Sequence, residues 1–365
     1  MFAAPRYLHW ARRHFGRVKF DLATSGIPIA SMAAVAPARE VRPDDGGDAT
    51  ERLRDAIAAH NGVPREQVAP AFGTTHAIWL ACATLVGSGA GDGVRDEILV
   101  ETPVYEPLVQ LPEGVGAVVR RFDRDPANGY ALDPERIARA MTPRTRAVVV
   151  SNLHNPSGVR ADDDALREAA RVAGANGAVL LVDEAYTELG RWVDAEGVFR
   201  GSARKLAENV VAVSSLTKAY GLGPERIGWL LGPEALVKRA LDTLVASIGH
   251  GPQSHARAGL EGFARTIPLA ARARAILAGK RKRVAAWAAS RGLALSTSED
   301  SLFGWVVLPG RGDLTPAIEA GIRDYEVLVS PGAFFGVPNA FRVAWSLPED
   351  ALDEGLERLT KALSC

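Results

Sequence analysis

Between about residues 49 and 250, short apolar runs alternate with helical segments, and this alternation constrains the fold more than any other feature of the chain. The runs are "DEILVE", "GAVVRRF", "RAVVVS", "AVLLVDEA", "NVVAVSS" and "IGWLLG". Their β-branched, largely unbroken apolar character suits strands covered on both faces. "DATERLRDAIAAHNG" predicts a helix, with Leu53 and Ile57 one turn apart and Gly62 as its stop. "GTTHAIWLACATLVG" predicts a second, opened by Gly73 and two threonines placed to cap it. "LDPERIARAM" has Asp133 as N-cap and Pro134 at the first helical position, and a polar helix runs from Asp162 to about Ala175. Alternating strands and helices imply right-handed βαβ units and a mostly parallel sheet. In such sheets ligands gather beyond the carboxyl ends of the strands.

After about residue 250 the texture changes. A long Ala/Arg-rich helical region, Ile267 to Arg291, precedes "LFGWVVLP", a helix near Ile318, "YEVLVSPG", "AFRVAWS" and a closing helix from Glu349. We expect an N-terminal segment (1–45) that joins a smaller α+β domain (251–365), with a large α/β domain (46–250) between them. Lys+Arg and Asp+Glu both number 43, which argues against a nucleic-acid or anionic-membrane surface. The two cysteines, Cys82 and Cys365, lie in no CxxC or Cys/His cluster. No zinc site or disulfide framework is therefore expected, and a reducing cytoplasm fits. No stretch approaches the roughly 18 apolar residues of a membrane span. The Arg-rich N-terminus lacks the apolar segment of an export signal.

The strand ends carry the chemistry. "RAVVVS" runs into "NLHNPSG", "AVLLVDEA" ends in "DEAY", "NVVAVSS" leads to "SLTK", and "AFRVAWS" holds Arg342 among apolar residues. Asn155, Asp183, Tyr186, Ser215, Lys218 and Arg342 therefore converge at one edge. Each alone has an ordinary reading as a turn, cap or surface residue. Together they are complementary. A lysine near apolar surface loses charge stabilisation and attacks carbonyls as a free amine. A buried aspartate holds a proton on a heteroaromatic nitrogen. Pyridoxal phosphate needs both, and its ring oxygen needs donors such as the Asn155 amide and the Tyr186 hydroxyl. Its phosphate needs helix N-terminal amides, hydroxyls and an arginine. "FGTTHA", Ser215 with Thr217, and Arg226 supply these in turn. The glycines after Lys218 read as room for backbone to approach the cofactor.

In this order, "GTTHA", "PVYEP", "NLHNPSG", "VDEAY", "SSLTKAYGLGPERIG" and "FRVAWS" resemble the class I/II aminotransferases of the fold-type I pyridoxal phosphate enzymes. The resemblance spans about Asp21 to Leu363. It implies a mostly parallel sheet of the seven-stranded type flanked by helices, plus a smaller α+β domain. It implies pyridoxal 5′-phosphate, no metal, amino acid and 2-oxo acid substrates, and a homodimer with shared sites. Carried over residue by residue, Lys218 is the Schiff-base lysine and proton shuttle, and Asp183 binds the ring nitrogen. Asn155 and Tyr186 bind the ring oxygen, and Tyr105 stacks on the ring. Gly73, Thr74, Thr75, Ser215, Thr217 and Arg226 hold the phosphate. Arg342 clamps the substrate carboxylate, with Gly26 and Asn155 beside it. Lys218, Asp183 and Tyr186 are the candidate catalytic residues.

The departures are informative. Family members carry a tyrosine that reaches the partner's cofactor phosphate, where this chain reads "VRPDDGGDATERLR", with Asp44 or Asp45 nearest. An arginine that aspartate-type members use for a side-chain carboxylate is missing from "TLVASIGHGPQ", where Val245 and Ala246 are closest. That weakens a dicarboxylic donor. His154 and His250 are unusual near such a pocket; each is a structural histidine or, if it titrates near neutrality, a proton carrier. Two rivals to transamination stand. One is another outcome on the same fold, such as elimination, decarboxylation, cyclisation or oxidation, because cofactor motifs do not report which substrate bond breaks. The other is a non-catalytic ligand-sensing regulator, which would carry a DNA-binding region ahead of "DLATSGIP", where few residues lie.

Overall fold

The computed structural model describes residues 3–40, 47–87, 95–249 and 251–364. Asp44, Asp45, His250 and Cys365 lie outside the described residues. Among the described residues the central sheet has seven strands. They are β1 (Val68–Phe72), β2 (Glu97–Thr102), β3 (Val118–Asp123), β4 (Thr145–Ser151), β5 (Val179–Asp183), β6 (Val210–Ser215) and β7 (Ile227–Leu231). Their order is β1-β7-β6-β5-β4-β2-β3. From β6 through β3 all pairs are parallel, and β7 runs antiparallel to both its neighbours. The continuous apolar runs are the buried inner strands: every residue of β6 and β7 is buried.

The sequence reading did not pick out β1, "VAPAF", because Pro70 sits in its middle. The strand is tolerated as the sheet edge, where one row of N–H groups has no partner strand and a missing donor costs little. The N-terminal helices are α1 (Arg6–His14), α2 (Ala49–Asn61) and α3 (Gly73–Leu85). Asp48 caps α2 through the Thr50 N–H, and Gly62 ends it in the left-handed region. The helix at Gln253–Phe263 packs back on α2: a Cβ built on Gly259 would come within 2.6 Å of Leu53 Cδ1. The long helical stretch is two helices, Thr266–Leu277 and Lys280–Ala289, broken at Gly279 with φ +75°.

A second, antiparallel sheet holds β8 (Leu295–Ser296), β9 (Phe303–Val307), β10 (Ser330–Pro331) and β11 (Ala340–Ala344) in the order β10-β11-β9-β8. Trp305, Phe341 and Trp345 are buried here with Leu352, Leu356 and Leu359 of the closing helix Glu349–Leu363. The N-terminal chain belongs to this layer. Phe20–Asp21 pairs in parallel with Val327–Leu328, and Tyr7 and Trp10 of α1 are buried in the same core. β11 carries Arg342 to Asn155, in the loop that follows β4 of the large sheet.

Candidate active site

The carboxyl ends of β4, β5 and β6 are level: Ser151 pairs with Asp183, and Asp183 with Val213. Loops leaving these ends open into one cavity of about 520 Å³. Lys218, Asp183, Tyr186, Tyr105, Asn155 and Arg342 line it, and Thr74, Thr75, Ser215, Thr217 and Arg226 line its other end. Gly73 and Gly26 do not line it themselves but lie against the lining residues Arg226 and Lys218.

At one end α3 starts on Gly73 with φ +78°. A Cβ there would lie 2.4 Å from Arg226 Nη2, so only glycine lets the guanidinium cross the helix start. Arg226 itself has φ +55° and donates from Nη2 to the Phe72 carbonyl at 3.4 Å. The expected threonine caps do not form. Thr74 Oγ1 donates instead to Ser215 Oγ at 2.9 Å, and no side chain caps α3. The first-turn amides stay available, with the positive end of the helix dipole behind them. Thr217 Oγ1 is buried and has no hydrogen-bond partner among the described residues. An uncapped helix start, an arginine across it and an orphaned hydroxyl together fit a phosphate group.

At the other end Arg342 is 1% exposed. Its Nη1 donates to Asn155 Oδ1 at 2.6 Å, and its Nη2 to the Tyr7 hydroxyl at 2.9 Å and the Ala23 carbonyl at 3.1 Å. A guanidinium only donates, so Asn155 shows it the amide oxygen and keeps its NH₂ as a donor for another group. Behind Asn155 stands a buried relay that the sequence reading missed. The Asn155 N–H donates to Ser151 Oγ at 3.0 Å, and Ser151 Oγ donates to Glu101 at 2.6 Å. Arg124 Nη1 pairs with the same carboxylate at 2.7 Å.

Between the two ends lie the ionisable groups. Burial raises the pKa of Asp183 to about 6, against the Ala185 N–H that its carboxylate accepts at 3.0 Å. Burial lowers that of Lys218 to about 8, and the cations of Arg342 and Arg226 push the same way. Lys218 Nζ sits 5.9 Å from the centre of the Tyr186 ring. Burial raises the pKa values of Tyr105 and Tyr186, and the Tyr186 hydroxyl shares a hydrogen bond with Ser25 Oγ at 2.8 Å. Gly26 follows Ser25, and a Cβ on it would sit 3.5 Å from Lys218 Cδ.

Other expectations change. Gly221 makes room for the N-terminal chain rather than the cavity: a Cβ there would lie 2.5 Å from the Pro28 carbonyl. His154 does not line the cavity. It is fully buried between Ser157 Oγ (2.6 Å) and the Pro103 carbonyl (2.9 Å), and burial beside Arg124 holds it neutral, with a pKa well below the usual value. Val245 is 55% exposed on the helix Glu234–Ile248 and also lies outside the cavity. One wall was missed altogether: Tyr7, Leu8, Ala11, Arg12 and Phe15 of the N-terminal segment line the site. Tyr7, Trp10, Ala11 and Phe15 recur at helical spacing, which is the signal that finds this wall.

Fold and cavity together define a fold-type I pyridoxal phosphate enzyme. The family model for aminotransferase class I and II matches residues 47–359, and the chain belongs to that family. Pyridoxal 5′-phosphate is its cofactor. The chain is 31% identical to capreomycidine synthase of Streptomyces vinaceus, over 97% of its own length and 92% of the relative's. It is 28% identical to aspartate/prephenate aminotransferase of Thermus thermophilus, over 86% and 80%. Among solved structures it superposes on a pyridoxal phosphate-dependent aminotransferase from Streptococcus suis with a TM-score of 0.84 at 20% identity, covering 100% and 98% of the two chains. A pyridoxal phosphate-dependent cyclase, OrfR, superposes with a TM-score of 0.79 at 24% identity, over 100% and 98%. At these identities the structural matches speak for the fold. Among the described residues no helix is long and apolar enough to cross a membrane.

Proposed function

We propose that the enzyme is an aminotransferase that moves an amino group from an α-amino acid to a 2-oxo acid, with Lys218 as its proton carrier. The observation that carries this reading is the placement of Lys218. It is a buried amine with a pKa lowered to about 8, in one cavity between a phosphate-shaped end and a carboxylate-shaped end. When bound, pyridoxal phosphate supplies the electron sink for breaking a bond at the substrate α-carbon. Arg342 takes the α-carboxylate on its planar fork and so fixes which α-bond is presented. Lys218 Nζ removes the α-proton as a base and returns a proton as an acid, with a pKa near the working pH. Asp183 would hold the ring nitrogen, where its buried carboxylate would favour a shared proton. The Asn155 amide NH₂ and the Tyr186 hydroxyl would donate to the ring oxygen. Gly73, Thr74, Thr75, Ser215, Thr217 and Arg226 hold the phosphate, and Gly26 lies by the carboxylate.

The working unit in this reading is a homodimer with shared sites. Val245 and Ile248, 55% and 40% exposed, offer apolar surface on Glu234–Ile248, and Ile248 borders a groove with Phe72 beside the phosphate end. Sedimentation at micromolar concentration tests it, and a monomer there refutes it.

A second reading has specific support: cyclisation of an amino acid after the same first proton transfer. The match to capreomycidine synthase covers more of both chains than the match to the Thermus aminotransferase. One experiment separates the two. Amino acids are added singly to the holoenzyme without a 2-oxo acid, and cofactor absorbance and products are followed. Transamination gives the aminated cofactor and one equivalent of 2-oxo acid, then stops. Repeated turnover to ammonia, carbon dioxide, peroxide or a ring-closed amino acid overturns it.

A further inference from the structure

Helix α1 presents one face to the cavity, and its deepest member is Tyr7, 5% exposed. The Tyr7 hydroxyl accepts from Arg342 Nη2 at 2.9 Å, and its ring centre lies 5.9 Å from the guanidinium carbon. Its ring meets Tyr105 edge-on at 5.7 Å. The backbone N–H of Tyr7 donates to Glu106 Oε2 at 2.7 Å, which ties the start of α1 to the segment just after Tyr105. The residue is thus fixed from both sides.

The proton inventory is uneven. A guanidinium has no acceptor, so Tyr7 can only accept from Arg342, and its own O–H proton is unused in that contact. Among the described residues the hydroxyl makes no other hydrogen bond. Arg342 has spare capacity too, since its buried Nε has no partner. An idle hydroxyl proton and an idle guanidinium N–H lie at the same end of the cavity.

We propose that Tyr7 is a second ligand for the substrate α-carboxylate, donating its O–H to the anion that Arg342 holds. The inference rests on the reading of Arg342 as the carboxylate site and adds a partner from the far N-terminus. A carboxylate accepts several hydrogen bonds, so Arg342 and Tyr7 can bind it together. Because Tyr7 sits on α1, carboxylate binding also holds that helix against the cavity, and substrate recognition reaches a segment more than 300 residues away in sequence from Arg342.

The test uses the holoenzyme in wild-type, Tyr7→Phe and Arg342→Lys forms. Each is titrated with maleate and acetate as non-reacting carboxylates, read by cofactor absorbance, and then assayed with the best amino acid of the panel. A hydrogen bond to a charged group predicts carboxylate binding weakened about ten- to hundredfold in Tyr7→Phe. KM should rise while kcat changes little, as expected for a contact made equally in ground and transition states. Affinity for pyridoxal phosphate and the melting temperature of the cofactor-free protein should match wild type. If Tyr7→Phe binds maleate and acetate normally while Arg342→Lys does not, the proposal falls and the Arg342 reading stands. If neither variant loses binding, both fall. Parallel losses in melting temperature and cofactor affinity would make Tyr7 a packing residue and overturn the proposal.

Discussion

Arg226 and Arg342 face one cavity from opposite ends and are held in opposite ways. Arg342 is a buried residue of an antiparallel strand, with Asn155, Tyr7 and Ala23 all accepting from it. Arg226 is exposed just before β7, and its guanidinium makes one hydrogen bond among the described residues, a long one to the Phe72 carbonyl. The first is a structural residue to which the proposal adds a binding role. The second has most of its guanidinium N–H groups unpaired among the described residues, as suits the anion-binding role proposed for it. The difference fits the proposed roles of the two ends: a cofactor phosphate would stay bound as a permanent counter-ion, whereas a substrate carboxylate would come and go. An arginine serving the latter must keep its place unaided.

Lys218 lies between them, and its removal gives the largest expected effect. Lys218→Ala should lower turnover by about 10²–10⁴-fold or more, the range for losing a positioned acid–base group. The absorbance of lysine-bound cofactor should vanish with it. If that absorbance survives, another lysine holds the cofactor and the comparison has the wrong centre.

The arginines themselves come next. Arg342→Ala leaves four acceptors (Asn155, Tyr7, Ala23 and Ser330) without their donor in a buried site, so the cofactor-free protein should lose about 3 kcal/mol in urea unfolding. Arg226→Ala should stay within about 0.5 kcal/mol of wild type while cofactor affinity falls about ten- to hundredfold. Equal losses of stability would break the contrast. Thr217→Val sharpens it on a smaller scale. If the buried hydroxyl serves a phosphate, the variant should bind the cofactor several-fold more weakly and unfold no more easily without it. A clear loss of stability in the cofactor-free form would count against that role.

The smallest effect is electrostatic. Burial is the main cause of the lowered Lys218 pKa, and both arginines add to it. Capture of pyridoxal phosphate by the free amine should therefore rise with pH and level off above about 8. Replacing either arginine by glutamine removes a cation that disfavours the ammonium form, so the midpoint should move to higher pH in both variants. A midpoint that stays put, measured by stopped-flow absorbance, would show that burial acts alone.

Much of the cavity end that Arg226 lines was legible because it is local. Ser215, Thr217, Lys218 and Arg226 fall within twelve residues, and the strand before them is an unbroken apolar run. The helix cap at Asp133 was legible for the same reason, since a capping side chain reaches only the next turn. The threonines of α3 failed as caps because Ser215, 141 residues away, competes for Thr74. Strand β1 was missed because a proline says edge or loop equally well until its neighbour is known. The relay from Glu101 to Asn155 and the role of Gly221 depend likewise on distant partners.

The amino-acid sequence by itself determined the mostly parallel sheet and, through its ordered motifs, the cofactor. Those depend on periodicity and short-range spacing, which a chain carries wherever it folds. The tertiary structure alone decided that Arg342 meets Asn155 across 187 residues and Tyr7 across 335. It also decided that α1 walls the cavity and that His154 is held neutral out of reach of it. Such facts come from burial and from hydrogen bonds between distant segments, and neither exists until the two sheets pack.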